Sequence, residues 1–281
     1  MAISVHPLSS AVGAEIRGID ASRPIDAVDA KQIRDALWRH QVIFLRGQEL
    51  DAPSQGAFAQ MFGPLQKPRT APEVTGKADY MYVANRTVEG MQGVLPDGEM
   101  QFHTDQCYYE LPSRATFLYA IEVPSKGGNT MFASTVAAYA TLPQALKDRL
   151  AGLKALHVYD YANAAQIRTD EPSPDAPHFV HPVVIRHPET GKPILYVNRL
   201  MTHHLVGIPR PEGEALLETL FAHIEQRAFV YEHVWRPGDL VVWDNFATLH
   251  ARTDFDPKER RVMRRFSVAG PRPEAASAQA A

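Results

Sequence analysis

His103 and Asp105 stand two residues apart in the segment Phe-His-Thr-Asp-Gln, and together they could bind a metal ion. On a strand or its extended end, residues i and i+2 point to the same side of the backbone. An imidazole and a carboxylate placed in this way supply two ligands for a divalent metal. A further histidine completes the two-histidine, one-carboxylate facial triad, which leaves coordination positions open at a non-haem Fe(II). Because a chain with 12 histidines contains such triplets by chance, the other motifs must support this interpretation.

The further histidine and two arginines occur near the C-terminal end. His250 closes the segment Trp-Asp-Asn-Phe-Ala-Thr-Leu-His, which follows a strand-like run. Arg261 and Arg265 are four residues apart, so on one strand they face the same side. Two inward guanidiniums need anionic partners, which a free dicarboxylate and an anionic substrate would supply. Thr130 follows two glycines that permit a tight turn, which would place its hydroxyl inside the fold.

Strand-like runs outnumber helix-like runs along the chain. Apolar stripes and end signals predict helices at residues 29–40, 54–62, 143–150 and 212–227. Strands are predicted at residues 42–45, 81–84, 115–122, 183–186, 194–197, 229–234, 240–243 and 265–269. Because many strands follow one another without a helix between them, the order favours a mainly β, double-sheeted fold with peripheral helices. Arg260 and Arg264 would then lie on the opposite strand face to Arg261 and Arg265, in solvent.

Composition limits the classes of protein to which the chain can belong. Its 281 residues are 45% apolar and 22% charged, which is average globular usage and excludes a wholly disordered chain. The net charge of −3 argues against a nucleic-acid partner. A single cysteine, Cys107, excludes an intramolecular disulfide, and no apolar run approaches the length of a membrane span. We expect a cytoplasmic protein without a signal peptide, with one domain over residues 1–270 and a disordered tail over residues 271–281.

Four motifs together carry a resemblance to a known family. They are H-T-D at residues 103–105, P-S-x-G-G-N-T at 124–130, W-D-N-x-x-x-x-H at 243–250 and R-R-x-x-x-R at 260–265. Shorter phrases agree, namely R-G at 46–47, F-G-P-L at 62–65, H-P-V-V at 181–184 and W-x-P-G-D-L at 235–240. The chain resembles the taurine dioxygenase and 2,4-dichlorophenoxyacetate dioxygenase family of Fe(II)- and 2-oxoglutarate-dependent oxygenases.

The resemblance implies a fold, a set of cofactors and roles for particular residues. The fold would be the double-stranded β-helix, a cupin-like jelly roll with peripheral helices. His103, Asp105 and His250 match the iron ligands of the family. Arg261 matches the arginine that binds the distal carboxylate of 2-oxoglutarate, and Thr130 matches the threonine that assists it. The cofactors would be Fe(II), 2-oxoglutarate as co-substrate and O2.

The substrate is less determined than the cofactors. Arg265 matches the arginine that faces the anionic group of the substrate in the taurine enzyme. Pro68, Glu99 and Met201 stand where taurine enzymes have other residues, which argues against taurine itself. Residues 91–100 contain two glycines and precede the first ligand, as a lid would. The further candidates for substrate binding are Gln106, Tyr108, Met201, His203 and His204.

The expected reaction is hydroxylation of a small anionic carboxylate or sulfonate, with release of succinate and CO2. The same iron chemistry can instead give desaturation or C–O or C–S cleavage, and the sequence does not separate these outcomes. A metal-binding jelly roll that acts as a sensor without turnover is the alternative from another class. A dicarboxylate-binding arginine argues against that alternative. Members of the family often self-associate, so a homo-oligomer is compatible with the resemblance.

Overall fold

A computed structural model describes residues 3–69, 78–95, 98–162 and 167–276. Strands β1 to β18 span, in chain order, Ser4–Pro7, Ala14–Arg17, Val42–Leu45, Met81–Ala84, Met100–His103, Ser113–Glu122, Thr130–Ser134, Lys154–Val158, Tyr161–Ala162, Ile167–Arg168, His178–Pro182, Val184–Arg186, Pro193–Leu195, Thr202–Leu205, Val230–His233, Leu240–Asp244, Thr248–Arg252 and Val262–Ala269. Helices α1 to α5 span Ala27–His40, Ala52–Gln60, Thr135–Thr141, Gln144–Leu150 and Arg210–Ile224, and a 3-10 turn spans Arg227–Phe229. Within these ranges, no helix is long and apolar enough to cross a bilayer.

Two antiparallel sheets form the centre of the molecule. The larger has seven strands in the order β1-β2-β3-β16-β6-β18-β4, and the smaller has four in the order β15-β7-β17-β5. All neighbours in these two sheets are antiparallel except β2 and β3, which pair in parallel. Phe132 of β7 packs against Trp243 of β16 with ring centroids 5.4 Å apart, so the two sheets face each other. The mainly β, double-sheeted fold with peripheral helices is therefore confirmed.

The alternation of side chains along a strand divides the core into layers. On β16, Val241 and Trp243 pack between the two sheets. Leu240 and Val242 point the other way, into a cluster formed with α1 and α2. A period of two residues produces this division, since successive side chains leave opposite faces of a strand. The outer face of the four-stranded sheet is covered by a separate cluster that includes residues of α3, α4 and α5.

Helix α2 covers the face of β18 on which Arg264 lies, contrary to the expectation that this face is in solvent. Arg264 does lie on the face opposite to Arg265, but that face is covered and Arg264 is buried. Its Nε donates to Oε1 of Gln55 at 2.8 Å, and its Nη2 donates to the carbonyl of Leu50 at 2.6 Å. The prediction of solvent on this face was wrong because the sequence period does not show which helix covers a sheet. Arg260 is exposed and pairs with Glu122.

The C-terminal segment also differs from expectation. Ala275 forms a bridge with Ile185, and the amide of Ala276 donates to the carbonyl of Val184. Glu274 pairs with Arg186 at 2.7 Å. The predicted disordered tail is therefore paired with β12 as far as Ala276, while residues 277–281 lie outside the described part of the chain. Backbone hydrogen bonds to a free strand edge can order a segment that has almost no large apolar side chains.

Candidate active site

His103, Asp105 and His250 come together between strands β5 and β17. His103 ends β5, Asp105 follows it by two residues, and His250 lies in the middle of β17. The two strands pair with His103 directly opposite His250, and the ring centroids of the two imidazoles are 4.0 Å apart. One potential ligand atom from each of the three residues lies within 4.8 Å of the others. Antiparallel register therefore joins two ligands that are 147 positions apart in the numbering (250 − 103).

The two carboxylate oxygens of Asp105 have different surroundings. Oδ1 lies 4.0 Å from Nε2 of His103 and 3.9 Å from Nε2 of His250. Oδ2 accepts a hydrogen bond from the Thr116 hydroxyl at 3.2 Å and lies 3.1 Å from Nη2 of Arg265. These two donors hold the carboxylate so that Oδ1 faces the imidazoles. Asp105 is therefore oriented to offer a single oxygen to a metal ion.

The backbone of Asp105 is held by the side-chain amide of Asn245. The amide oxygen accepts from the Asp105 N–H at 3.0 Å. The amide nitrogen donates to the carbonyl of Asp105 at 2.9 Å and to that of Ser113 at 2.8 Å. All five atoms belong to buried residues, so these bonds fix the loop after β5 against the turn after β16. Gln106, next in the chain, adopts a left-handed φ of 60°.

The protonation states of the three residues suit a divalent metal ion. Burial lowers the pKa of both His103 and His250, which keeps the imidazoles neutral. Nδ1 of His103 lies 2.9 Å from the carbonyl of Gln101, so Nδ1 is the donor and the lone pair is on Nε2. Burial opposes ionisation of Asp105, but the charge of Arg265, together with the hydrogen bond from Thr116, outweighs it and lowers the pKa of the carboxyl. Two neutral imidazoles and one carboxylate fit Fe(II), because they form the two-histidine, one-carboxylate donor set.

Arg261 lies in the same cavity and is 2% exposed. Its Nε donates to the carbonyl of Gly128 at 3.2 Å, while Nη1 has no hydrogen-bond partner among the described residues. Burial and the nearby Arg252 lower the pKa of Arg261 to about 9. Gly128 has φ of 64°, and a Cβ there would lie 3.2 Å from Nε of Arg261. A buried guanidinium with an unsatisfied nitrogen favours an anionic ligand such as a carboxylate.

Thr130 begins strand β7 and lines the same cavity. Its Oγ1 accepts a hydrogen bond from the indole N–H of Trp235 at 3.0 Å. Thr130 is the register partner of both His233 on β15 and Arg252 on β17, so it lies in the middle of the four-stranded sheet. The hydroxyl therefore occupies a fixed position at the wall of the cavity.

The cavity has a volume of about 480 Å³ and contains most of the predicted substrate residues. Arg265, Gln106, Tyr108 and Met201 all line it together with the three metal-binding candidates. His203 and His204 do not belong to its described lining; their Nδ1 atoms lie 2.7 Å from each other. The structure thus does not bring His203 and His204 to the site. Their position on β14 depends on sheet pairing, which the sequence did not reveal.

The segment at residues 91–100 is only partly described. Val94, Leu95 and Met100 line the cavity, and residues 96–97 lie outside the described part of the chain. The lid at residues 91–100 therefore stays a prediction. Pro68 lines the cavity as well, whereas Glu99 is exposed and is not in the described lining.

Four residues near the site were not predicted as functional. Thr116 and Asn245 hold Asp105, Trp235 contacts Thr130, and Arg252 lies beside Arg261. Arg252 had a signal in the sequence, since it follows His250 by two residues on one strand and so shares its face. For Thr116 and Trp235 the spacing along the chain carries no signal, because their contacts join distant strands.

The chain is similar over nearly its whole length to proteins of known activity. The family described as "Taurine catabolism dioxygenase TauD, TfdA family" matches residues 4–267. Pentalenolactone F synthase of Streptomyces arenae is 33% identical over 93% of this chain and 94% of its own. The alpha-ketoglutarate-dependent sulfate ester dioxygenase of Pseudomonas putida is 32% identical over 95% of this chain and 90% of its own. The crystal structure of AAD-2 in complex with Mn(II) and N-oxalylglycine is 28% identical, with a TM-score of 0.83 over 98% of this chain and 100% of that one.

These similarities agree with the geometry of the site. The solved relatives have the jelly-roll fold that the sequence motifs imply, and one of them holds a divalent metal ion in its crystal structure. In this chain, the cluster of His103, Asp105 and His250 fits such an ion, and the buried Arg261 fits a dicarboxylate. The chain belongs to the taurine catabolism dioxygenase TauD, TfdA family and is a 2-oxoglutarate-dependent dioxygenase that uses Fe(II) and O2.

Proposed function

We propose that this dioxygenase hydroxylates a C–H bond of a small anionic molecule, a carboxylate or sulfonate other than taurine, and releases succinate and CO2. The main support for this proposal is the excess of positive charge around the cavity. Among its described lining residues, five are cationic and two are acidic: Lys67, Arg69, Arg252, Arg261, Arg265, Asp79 and Asp105. An excess of cationic side chains around a partly enclosed cavity attracts anions and raises their local concentration.

Arg265 is the cation best placed to meet a substrate beside the metal ligands. Its Nη2 lies 3.1 Å from Oδ2 of Asp105, and its side chain remains 19% exposed. A guanidinium has five N–H donors, so one contact with Asp105 leaves others for a second anion. A carboxylate or sulfonate bound there would bring its neighbouring carbon atoms close to the metal ligands.

Different residues of this chain would bind the metal ion and the co-substrate. Bound Fe(II) and 2-oxoglutarate supply the activation of O2. We assign His103, Asp105 and His250 to holding the metal, and Arg261 and Thr130 to holding the distal carboxylate of 2-oxoglutarate. Thr130 lies on β7, which is paired with a strand on each side, and Arg261 is buried directly before β18, so both need little rearrangement on binding.

The apolar and aromatic walls favour a substrate larger than taurine. Met201, Trp243 and Leu118 line the cavity near the ligands, and Tyr108 packs against Tyr159 with ring centroids 4.6 Å apart. A cavity of about 480 Å³ lies in the range of sites that bind ligands of drug size. Its apolar surface would exclude water from the reacting atoms. The similarity to a sulfate ester dioxygenase supports an anionic substrate with an organic group attached.

Two alternative functions would use some of the same residues. Desaturation or C–O or C–S cleavage would use the same metal ligands and the same co-substrate. A sensor without turnover would use the metal ligands alone, and the buried Arg261 argues against it, because a sensor of that kind does not need a dicarboxylate site. Analysis of products separates the first alternative, and succinate formation separates the second.

The test compares anions with neutral molecules of the same shape. Phenoxyacetate with phenoxyacetamide, and hexanesulfonate with its sulfonamide, form such pairs. Succinate formation and O2 consumption are measured with Fe(II) and 2-oxoglutarate, and the products are identified by mass spectrometry. We expect the anion of at least one pair to raise succinate formation and to gain one oxygen atom.

Equal turnover of the anion and its neutral partner would contradict the anionic preference. Formation of an alkene or of a cleaved product in place of the alcohol would support the first alternative. Binding of metal without binding of 2-oxoglutarate, and no succinate with any compound, would support the sensor. The variant Arg265→Met should lose the preference for the anion while it retains succinate formation in the absence of substrate.

A further inference from the structure

The segment Trp-Arg-Pro-Gly-Asp-Leu at residues 235–240 forms part of the sequence resemblance, yet none of the assigned functions uses it. Trp235 is buried and does not line the described cavity. We propose that Trp235 is a positioning residue for 2-oxoglutarate. Its indole N–H fixes the rotation of the Thr130 hydroxyl, so that the hydroxyl proton is available to the distal carboxylate.

In the contact between Trp235 and Thr130, the indole must be the hydrogen-bond donor. Nε1 of Trp235 lies 3.0 Å from Oγ1 of Thr130 in a buried contact. An indole nitrogen only donates, so Oγ1 must accept, and the hydroxyl keeps its own proton for another partner. No acceptor for that proton is found in the described part of the chain. A buried hydroxyl that has a bound donor and a free proton, at the wall of a cavity, favours an acceptor in the cavity.

Arg261 supplies a second donor close to the same place. Nε of Arg261 binds the carbonyl of Gly128, which precedes Thr130 by two residues. Nη1 of Arg261 is buried and finds no partner within the described ranges. One carboxylate can accept from a guanidinium nitrogen and from a hydroxyl together, because its two oxygens offer about four acceptor positions. A carboxylate in this cavity would thus be the common acceptor of the Thr130 proton and Arg261.

The surroundings of Trp235 hold its ring in a single orientation. The ring of His233 meets the indole edge-on at 4.6 Å. His233 is itself fixed, since its Nε2 lies 3.0 Å from Oδ2 of Asp239 and its Nδ1 lies 2.8 Å from the hydroxyl of Tyr231. Asp239 also pairs with Arg46. The segment at 235–240 therefore contains both the donor, Trp235, and the carboxylate that fixes its support, Asp239.

Trp235 also packs in the cluster between the sheets, so a purely structural role must be tested against this proposal. The test is a double-mutant cycle with Trp235→Phe and Thr130→Val. The dissociation constant of 2-oxoglutarate is measured anaerobically from the visible absorbance that appears when it binds the Fe(II)-loaded protein. Thermal melting of each metal-free variant reports stability separately.

We expect Trp235→Phe to weaken 2-oxoglutarate binding about three- to tenfold, as loss of one neutral hydrogen bond does. In the Thr130→Val background, the same change should have no further effect on the dissociation constant, because the hydroxyl is already absent. Thr130→Ser, which keeps a hydroxyl, should remain sensitive to Trp235→Phe. Trp38→Phe is the matched control, since Trp38 lies outside the described cavity lining and packs against Arg114.

Binding of a truncated co-substrate distinguishes the loss of this hydrogen bond from a general loss of packing. 2-Oxobutyrate keeps the 2-oxo acid group and lacks the distal carboxylate. The loss caused by Trp235→Phe should be present with 2-oxoglutarate and absent with 2-oxobutyrate. A structural defect would weaken both compounds to the same degree.

Additive effects of Trp235→Phe and Thr130→Val on the dissociation constant would overturn the proposal. Unchanged 2-oxoglutarate binding in a folded Trp235→Phe protein would overturn it too. If the phenylalanine variant does not fold, replacement of Trp235 by β-(3-benzothienyl)alanine keeps the shape and exchanges the N–H for sulfur. That protein must show the same threefold to tenfold loss, and wild-type affinity in it would exclude the role of the N–H.

Discussion

The metal end and the substrate end of the cavity are built in different ways. At the metal end, His103, Asp105 and His250 are at most 12% exposed and lie on or next to paired strands. At the substrate end, Lys67, Arg69 and Tyr159 are exposed residues outside the strands. We therefore propose that paired strands hold the metal ligands, and that Arg265 of β18 together with exposed connecting segments selects the substrate.

The two ends also differ in how their polar groups are satisfied. Asp105 has partners for both its backbone groups and for Oδ2 within the protein, so its position is fixed before a metal binds. At the substrate end, Oε1 of Gln106 is buried and has no hydrogen-bond partner among the described residues. Preorganised ligands bind with less loss of entropy, whereas an unsatisfied amide beside the cavity favours a substrate that can donate to it. The predictions below test this difference between a fixed end and an adaptable end.

The largest effect is expected from His103→Ala. Removal of one of three ligands from a preorganised site should weaken Fe(II) binding by more than about 100-fold, since even changes to groups that support a ligand cost 10- to 100-fold. The measurement is metal titration of the apo-protein, followed by the absorbance band with 2-oxoglutarate. His204→Ala is the control and should bind Fe(II) as the wild type does. Full Fe(II) affinity in His103→Ala would contradict the assigned ligand set.

Arg261→Ala should affect the co-substrate and leave the metal in place. Loss of a buried, charge-assisted pair costs about 2–5 kcal/mol, so 2-oxoglutarate should bind at least about 30-fold more weakly. Fe(II) affinity measured in the absence of 2-oxoglutarate should stay the same. Arg260→Ala, a change at the exposed neighbour, serves as the control and should alter neither constant. An unchanged 2-oxoglutarate affinity in Arg261→Ala would exclude the proposed contact.

Asn245→Ala should loosen the metal end without removing a ligand. The change leaves the N–H and carbonyl of Asp105 and the carbonyl of Ser113 without their partner. We expect metal affinity to fall about 10- to 100-fold, as for other groups that orient ligands. Titration with Co(II) reports both the affinity and, through its visible spectrum, the geometry of the ligands. A wild-type Co(II) spectrum and affinity would show that the strands alone hold Asp105.

The smallest expected effect is a loss of stability in mild acid, caused by the buried His157 of β8. Burial lowers the pKa of His157 to about 3 from its ordinary 6.5, so the unfolded state binds a proton on this residue that the folded state does not. Its contribution to stability is therefore present above pH 6.5 and is lost as the pH falls toward 3. Between pH 7 and pH 5.5 the loss should be about 1 kcal/mol.

Urea unfolding of the wild type and His157→Asn at both pH values measures this contribution. Buried His103 and His250 contribute to the pH dependence of both proteins, so the difference between the two proteins isolates His157. His178→Asn is a suitable control, because His178 is exposed on the neighbouring strand β11. Equal pH dependence in His157→Asn and the wild type would contradict the lowered pKa.

The sequence by itself determined the chemistry of the site. The types and spacing of His103, Asp105 and His250 predicted a metal centre, and the same-face spacing of Arg261 and Arg265 predicted anion binding within one cavity. The strand-like runs at 42–45, 115–122 and 240–243, bounded by turn-forming residues, predicted strands, and all three are present. These features are readable because ligand chemistry depends on residue type, and facing depends on a period of two residues.

Tertiary structure decided which residues meet across the chain. It placed Arg265 against Asp105, covered Arg264 with α2 and kept His204 out of the described cavity lining. It also joined Trp235 to Thr130 and Asn245 to Asp105, contacts that span more than 100 residues of sequence. Local periodicity shows the face on which a side chain lies, but the element that covers that face depends on strand register and helix packing between distant segments.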